Sequence, residues 1–207
     1  MAVPQVLRLS STILQRITTA NIFKYSRIAE STKQPCGAIF CILIVKDRMF
    51  NRESVEKVRK PLLERGQTIA EAESVTAGLL QAALASAEEA SKIFQGGITV
   101  YNIGQKSRHL DIDPIHAADC NCVSSKMATD MATSVAKLFT AHWGIGITGY
   151  ATPVPESGDA IFAHISITLN GEEKLARRID GGDRIALDAQ LHFVEEVLRG
   201  LEEALRG

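Results

Sequence analysis

The stretch TIAEAESVTAGLLQAALA, residues 68–85, is the first indication of the fold. Residues 68–72 read as a short strand, and residues 73–78 form a turn of small and capping residues. The apolar run through Ala85 then predicts a helix. A strand that passes through a tight turn into a helix is the repeating unit of α/β proteins, so this stretch predicts an α/β fold.

The neighbouring segments continue the alternation of helices and strands. Apolar residues at helical spacing over 55–63 predict a helix that Gly66 ends and that Pro61 can kink or split. Ser124 can cap a further helix that runs to about residue 139. Strands are predicted at residues 98–101 and 143–148.

The C-terminal part predicts a hairpin followed by a long helix. Residues 160–169 and 174–179 pair naturally as strands across Asn170-Gly171. Residues 183–205 form an amphipathic helix, whose buried side is expected to hold Leu187, Leu191, Val194, Leu198, Leu201 and Leu205. Together, these elements predict a mixed sheet with helices on both faces.

The composition excludes several classes of protein. The 207 residues are 45% hydrophobic with a formal charge of −1, as in an ordinary soluble globular protein of the cytoplasm. Without an excess of Lys and Arg, nucleic acid is not an expected partner. The apolar run at residues 38–45 is too short to span a membrane. The four cysteines read as reduced thiols, and Cys120-Asn121-Cys122 fits no common zinc pattern, so no metal is expected.

The first fifty residues differ from the rest and are set apart from a domain at residues 51–207. Residues 1–29 carry four basic residues, no acidic residue, and several Ser and Thr, a bias that resembles an organellar transit peptide. The alternative is that translation starts at Met49 and that the upstream part is not native coding sequence. In either case the extension is expected to lie outside the fold, as a disordered or non-native segment. A genuine transit segment would place the protein in an organelle.

Three loops with small or polar residues follow predicted strands, at residues 73–78, 102–106 and 148–153. In open α/β sheets, ligands bind beyond the carboxyl ends of the strands. We therefore expect these loops to converge on one pocket. Ser91, Tyr101 and Lys106, which flank the strand at 98–101, are candidates for a nucleophilic site.

An ordered set of segments resembles the C-terminal domain of CinA, which also occurs alone as the nicotinamide-nucleotide amidase PncC. AESVTAG at residues 72–78 is similar to the AES-C-TGG turn of that family. Residues 91–106, Val123-Ser124, Thr148-Gly149 and Gly182-Asp183-Arg184 follow in the family's order and at fitting distances. The resemblance covers roughly residues 52–206 and is far more specific as a set than any one motif.

The resemblance implies a three-layer α/β/α sandwich with a mixed, mostly parallel sheet. It also implies hydrolysis of the carboxamide of nicotinamide mononucleotide to nicotinate mononucleotide and ammonia, without a metal or cofactor. The implied catalytic residues are Ser91 as nucleophile, Tyr101, and Lys106 as base. The expected substrate-binding residues are Glu73, Ser74, Thr76, Gly78, Thr148, Gly149 and Arg184, with the nucleotide phosphate at the helix start of residues 76–78 or on Arg184. The partner is thus a small nucleotide, with homo-oligomerisation left open.

Several positions depart from the family. Val75 and Ala77 replace the cysteine and the first glycine of AES-C-TGG, and Leu187 stands where an arginine is common. The loop that begins at Gly149 carries Tyr150 and Thr152 in place of small or flexible residues, and these two are expected to narrow the pocket. The alternative function is therefore a CinA-like nucleotide-binding module with altered or lost catalysis.

Overall fold

The computed structural model describes residues 49–207, so the expectations for the N-terminal extension lie outside it, apart from Met49 and Phe50. The helices are α1 (Arg52–Glu64), α2 (Leu79–Ala85), α3 (Ile103–Leu110), α4 (Pro114–Asp119), α5 (Ser125–Leu138) and α6 (Leu187–Arg206). The strands are β1 (Ile69–Glu73), β2 (Phe94–Thr99), β3 (Trp143–Tyr150), β4 (Phe162–Leu169) and β5 (Glu172–Asp180). Short 3₁₀ turns lie at Ala90–Lys92 and Pro155–Ser157.

The strands form one mixed sheet in the order β2-β1-β3-β4-β5. β1 pairs in parallel with β2 and β3, whereas β4 is antiparallel to both of its neighbours, β3 and β5. All strands except β4 therefore point the same way. In the register, Glu73 lies opposite Thr99 of β2 and Ile147 of β3. The carboxyl ends of β1, β2 and β3 consequently meet at one edge of the sheet, as the sequence predicted.

Helices cover both faces of the sheet, which confirms the three-layer α/β/α architecture. One core cluster joins α1, α2 and α6 to one face, and a second joins the region of α3, α4 and α5 to the other. Close approach of α5 to β3 depends on two glycines. A Cβ on Gly144 or Gly146 would lie 2.0 Å from the carbonyl oxygen of Ala132 or Ala128, respectively.

Several local signals act as the sequence predicted. α1 continues through Pro61, and Gly66 follows the helix with a left-handed φ of 59°. The Ser124 hydroxyl caps α5 by accepting a hydrogen bond from the Met127 N–H at 3.0 Å. Asn170 and Gly171 both have positive φ, 51° and 84°, as the tight turn between β4 and β5 requires.

Other predicted details are wrong. β2 begins at Phe94 instead of at residue 98, and neither α3 nor α4 was predicted. Leu187 is not part of the core, because it is the first residue of α6 and is 54% exposed. Helix α6 begins four residues later than expected, so its first turn is shifted along the sequence.

An acidic side chain is buried in the middle of β1. Glu71 is fully buried, and neither of its carboxyl oxygens has a hydrogen-bond partner within residues 49–207. The carboxyl group lies over Gly97 of β2, where a Cβ would come within 1.7 Å of its Oε1 atom. Burial, with a smaller contribution from the charge of Glu73, raises the pKa of Glu71 to about 9.

Candidate active site

A pocket of about 560 Å³ opens at the carboxyl ends of β1, β2 and β3. Its lining comes from the three loops that the sequence predicted to converge, together with the turn before α5 and the first turn of α6. The lining residues are Ser74, Val75, Tyr101, Asn102, Ile103, Lys106, Asn121, Cys122, Val123, Thr148, Gly149, Tyr150, Ala151, Thr152, Val154, Ala186 and Gln190.

Ser74 lies at the first position after β1, where the chain turns towards α2. It is only 8% exposed, and its N–H donates to the Ile147 carbonyl of β3 at 3.1 Å. Within the described residues, the Ser74 hydroxyl makes no hydrogen bond to another group of the protein. This placement between a strand and a helix puts Ser74 in the lining of the pocket.

Lys106 enters the same pocket from the first turns of α3. The side chain is fully buried, and Nζ donates to the Val100 carbonyl oxygen at 2.8 Å. Val100 directly follows β2 and lies beside the end of β1, since its N–H donates to the carbonyl of Glu73, the residue before Ser74, at 2.9 Å. Burial lowers the pKa of the Lys106 ammonium from its ordinary value, against a smaller opposing effect of Cys122 and Cys120. A lysine in this setting can act as a neutral base.

Tyr101 completes the group at the mouth of the pocket. It is the second residue after β2 and is 71% exposed, although it lines the pocket. The hydroxyl is therefore accessible to a ligand as well as to water. Ser74, Tyr101 and Lys106 share one pocket because each follows the carboxyl end of a parallel strand or lies on the helix after it.

The structure does not bring Ser91 to this pocket, which corrects the predicted trio. Ser91 is exposed in the 3₁₀ turn before β2, whereas Tyr101 follows the same strand. At a rise of about 3.3 Å per residue, the intervening strand separates them by roughly 20 Å. The carbonyl of Ile93, two residues after Ser91, accepts from the N–H of Ile69 at the opposite edge of the sheet. Ser74, which was expected only as a substrate-binding residue, lines the pocket with Tyr101 and Lys106.

The predicted substrate-binding residues divide into two groups. Ser74, Thr148 and Gly149 line the pocket, whereas Glu73, Thr76, Gly78 and Arg184 do not. Thr148 is buried, and its hydroxyl donates to the Cys122 carbonyl at 2.7 Å. The neighbouring strand β4 leaves no room for a side chain at Gly149, since a Cβ there would lie 2.2 Å from the Phe162 carbonyl oxygen. The absence of its side chain is therefore a packing requirement of the sheet.

Glu73 has a structural role at the start of α2. Its buried carboxylate accepts hydrogen bonds from the Thr76 hydroxyl at 2.5 Å, the Leu80 N–H at 3.1 Å and the Gln81 N–H at 3.2 Å. These bonds hold the turn that carries Ser74 against the helix. The N-terminal N–H groups of α2 are thus already occupied by an anion.

Tyr150 and its neighbours shape the far wall of the pocket. The Tyr150 hydroxyl accepts a hydrogen bond from Asn121 Nδ2 at 2.9 Å, and its ring contacts Phe162 edge-on at 5.6 Å. Asn121 and Cys122 both have left-handed backbone angles, with φ of 46° and 61°. Tyr150 and Thr152, the two replacements expected to narrow the pocket, both line it.

Sequence reasoning missed several pocket residues. Asn102, Asn121, Cys122 and Gln190 line the pocket without having been predicted as site residues. Asn102 carries a signal that could have revealed it, because it directly follows Tyr101 and caps α3. Gln190 has no such signal in the sequence, because its position depends on how α6 packs on the turn after β1. There, Gln190 Nε2 donates to the Val75 carbonyl at 2.8 Å.

Residues 49–207 lack two further features. They contain no cluster of three or more His, Cys, Asp or Glu side chains arranged to hold a metal ion. None of the helices in this range combines the length and the apolar character needed to cross a membrane. Cys120 and Cys122 are free thiols.

Curated relatives and solved structures are similar to this chain. A competence-damage inducible protein of Alkaliphilus metalliredigens is 34% identical over 131 residues, which are 62% of this chain and 32% of that protein. A protein of the same name from Streptococcus pneumoniae is 42% identical over 96 residues, or 46% of this chain and 23% of that protein. The chain thus spans a third or less of the length of these relatives. The crystal structure of a competence or damage-inducible protein from Enterobacter asburiae matches with a TM-score of 0.71 at 27% identity, over 75% of this chain and 98% of that one.

The family assignment follows from these comparisons and the fold. A CinA-superfamily structure from Klebsiella pneumoniae also matches, with a TM-score of 0.70 at 25% identity, over 75% of this chain and 97% of that chain. The family model of the CinA C-terminal domain matches residues 51–205. The chain therefore belongs to the CinA C-terminal domain family.

Proposed function

We propose that this chain is a serine amidohydrolase that releases ammonia from the carboxamide of a nicotinamide nucleotide or nucleoside. The observation that carries the proposal is a free serine hydroxyl in one pocket with a buried lysine. Ser74 supplies the hydroxyl, and Lys106 is the lysine whose pKa burial lowers. The resemblance described above adds nicotinamide mononucleotide as the first substrate to consider.

Acylation begins with attack of Ser74 Oγ on the carboxamide carbon. The neutral amine of Lys106 takes the hydroxyl proton as the new C–O bond forms. Nζ keeps one N–H on the Val100 carbonyl, which holds the amine in place in the wall of the pocket. Arginine could not replace it, because a guanidinium stays protonated at any working pH.

The oxyanion of the tetrahedral intermediate needs donors beside Ser74. The N–H groups of Val75 and Thr76 have no acceptor within the described residues, although both residues are buried. Buried backbone N–H groups are almost always paired, so this pair is suited to an oxygen atom of a substrate. Glu73 supports these donors by holding the turn on α2.

Collapse of the intermediate breaks the C–N bond, and the leaving nitrogen takes a proton from the Lys106 ammonium to depart as ammonia. Tyr101 lies at the pocket mouth and can pass this proton or hold the leaving group. Water then attacks the resulting Ser74 ester and gives a proton to Lys106; as the ester C–O bond breaks, Lys106 returns that proton to Ser74 Oγ. The products are a carboxylate and the regenerated serine.

One observation favours the second candidate, a binding module without catalysis. The hydrogen bond from Asn121 to the Tyr150 hydroxyl holds the Tyr150 ring in the wall of the pocket. That ring reduces the space available for a substrate, while leaving a site that could bind a smaller ligand. Ammonia release distinguishes the two functions, because a binding module would bind the ligand without releasing ammonia.

The experiment measures ammonia release from nicotinamide mononucleotide and nicotinamide riboside by the full chain and by single variants. Ser74→Ala should reduce kcat on the order of 10³-fold or more while leaving the fold intact. Ser91→Ala is the matched control, because it removes the same hydroxyl from an exposed position and should keep wild-type activity. Lys106→Arg should be nearly as inactive as Ser74→Ala, and Tyr101→Phe should lose less.

The pH dependence gives a further check of the base. Because burial lowers the pKa of Lys106, its neutral form is present at pH values below the ordinary titration of lysine. Activity should therefore fall as the pH is lowered through that pKa and Lys106 becomes protonated. Activity that survives in Ser74→Ala, or that disappears in Ser91→Ala, would contradict the assignment.

A further inference from the structure

The charges around the pocket bear on which substrate it accepts. Among the lining residues within 49–207, the single side chain that can carry a positive charge is Lys106, which is buried and already donates to Val100. The other lining residues are apolar or neutral polar. A phosphate buried against such groups would lose hydration without gaining a counter-charge.

The start of α2 does not supply the missing positive charge. The N–H groups of Leu80 and Gln81 donate to the Glu73 carboxylate. A phosphate brought to this point would meet that carboxylate, so repulsion would replace the attraction expected of a free helix terminus. The N–H groups of Leu80 and Gln81 are therefore not available to the phosphate that was predicted at the start of this helix.

Arg184 does not supply a positive charge to the pocket either. The side chain is exposed, and its Nη1 atom donates to the Gly181 carbonyl of its own loop at 3.2 Å. Arg184 does not line the pocket, although Ala186, two residues later, does. The guanidinium is thus held on its loop outside the site.

Three carboxamide side chains show what the pocket can bind. Asn121 Nδ2 donates to Tyr150 and Gln190 Nε2 donates to the Val75 carbonyl, so each leaves its oxygen as an acceptor. Asn102 has the opposite arrangement. Its oxygen accepts from the Gln105 N–H at 3.1 Å, and its NH₂ group is left as a donor. Acceptor oxygens bind hydroxyl and N–H groups and repel anions. The rings of Tyr101 and Tyr150 can in addition contact a flat, cationic pyridinium ring.

We propose that the substrate is a phosphate-free carboxamide whose remaining part carries hydroxyl groups, such as a nicotinamide riboside, and that a phosphate on the same molecule weakens its turnover. This proposal rests on the proposed function and narrows it from nucleotides to nucleosides. The hydroxyls of the sugar meet the oxygens of Asn121 and Gln190. The carboxamide is directed towards Ser74.

The test compares kcat/KM for ammonia release from nicotinamide riboside and nicotinamide mononucleotide, which differ only by the phosphate. The full chain should favour the riboside by at least about tenfold, because the phosphate loses hydration without a counter-charge. Thr152→Arg adds a cation at an exposed position of the lining and should move the preference towards the nucleotide. Arg184→Ala is the matched control and should leave the ratio unchanged.

The outcomes separate this inference from the proposed function. Equal or better turnover of the nucleotide overturns the inference and leaves the amidase standing. So does a selective loss of nucleotide turnover in Arg184→Ala, because Arg184 would then be the phosphate's partner. If neither compound releases ammonia, the proposed function fails. The inference is then tested by measuring the binding of the two compounds by calorimetry. Tighter binding of the riboside supports it, and tighter binding of the nucleotide overturns it.

Discussion

Replacement of Glu71 by glutamine should make the protein more stable, increasingly so as the pH rises. Glu71 is fully buried in β1, its carboxyl oxygens have no partner within residues 49–207, and Glu73 adds a nearby negative charge. The folded protein therefore keeps Glu71 protonated, whereas the unfolded chain releases this proton near the ordinary pKa of a carboxyl group. Glutamine has almost the same shape and cannot ionise.

The size of the effect follows from the two pKa values of Glu71, 4.5 as an ordinary carboxyl and about 9 in the fold. Because the folded pKa is the higher one, the stabilisation is complete at low pH and is lost as the pH rises between these values. The slope is about 1.4 kcal/mol per pH unit. From about pH 5 to about pH 8, the free energy of unfolding of the wild type should fall by about 4 kcal/mol relative to Glu71→Gln.

Urea denaturation of both proteins at several pH values measures this difference directly. Other titrating groups are common to the two proteins, so their contributions largely cancel. Glu64→Gln is the control, because this carboxylate is exposed in a surface pair with Lys60 at 4.0 Å and should change the stability by less than about 1 kcal/mol at any pH. A gap between wild type and Glu71→Gln that does not grow with pH would refute the assignment of a protonated Glu71.

Three further variants test other parts of the structure. Ala77 is exposed at a left-handed φ of 52°, so Ala77→Gly should relieve strain and raise the stability by about 1 kcal/mol, seen as a higher Tm. Loss of stability there would show that the methyl group makes a favourable contact. Tyr150→Ile with Thr152→Gly should widen the pocket and raise kcat/KM for the nicotinamide substrates roughly tenfold; an unchanged or lower value would show that these side chains do not limit access. Glu73→Gln should lower the free energy of unfolding by about 1–3 kcal/mol and lower kcat more than it changes KM, because the turn carrying Ser74 loses its charged cap. An unchanged kcat would show that Glu73 contributes to stability alone.

Much of the fold could be predicted because strong local signals agree with the tertiary structure. Asn170-Gly171 specifies the hairpin, Ser124 caps α5, and the strand–turn–helix around Ser74 specifies the parallel part of the sheet. Helices α3 and α4 were missed because they are short and carry few apolar residues at helical spacing. Their capping residues, Asn102 and Asp113, were the available signals.

The position of the pocket could be predicted from the topology of the sheet. The rule that ligands bind beyond the carboxyl ends of strands placed three loops correctly around one site. The same rule argues against Ser91, which precedes its strand, and in favour of Ser74, which follows one. The assignment of Ser91 came from the resemblance to a family. The direction of Arg184 and the occupation of the α2 terminus by Glu73 depend on tertiary contacts that no local pattern reveals.

Identification of the acylated residue tests the central claim most directly. The full chain is mixed with nicotinamide riboside, quenched in acid during turnover and digested with trypsin. Cleavage after Arg65 and Lys92 gives one peptide, residues 66–92, that contains both Ser74 and Ser91, so fragmentation by mass spectrometry compares the two serines within a single molecule. We predict an added acyl group on Ser74 that is missing from Lys106→Arg. An acyl group on Ser91, or on Cys122 in another peptide, would contradict the account.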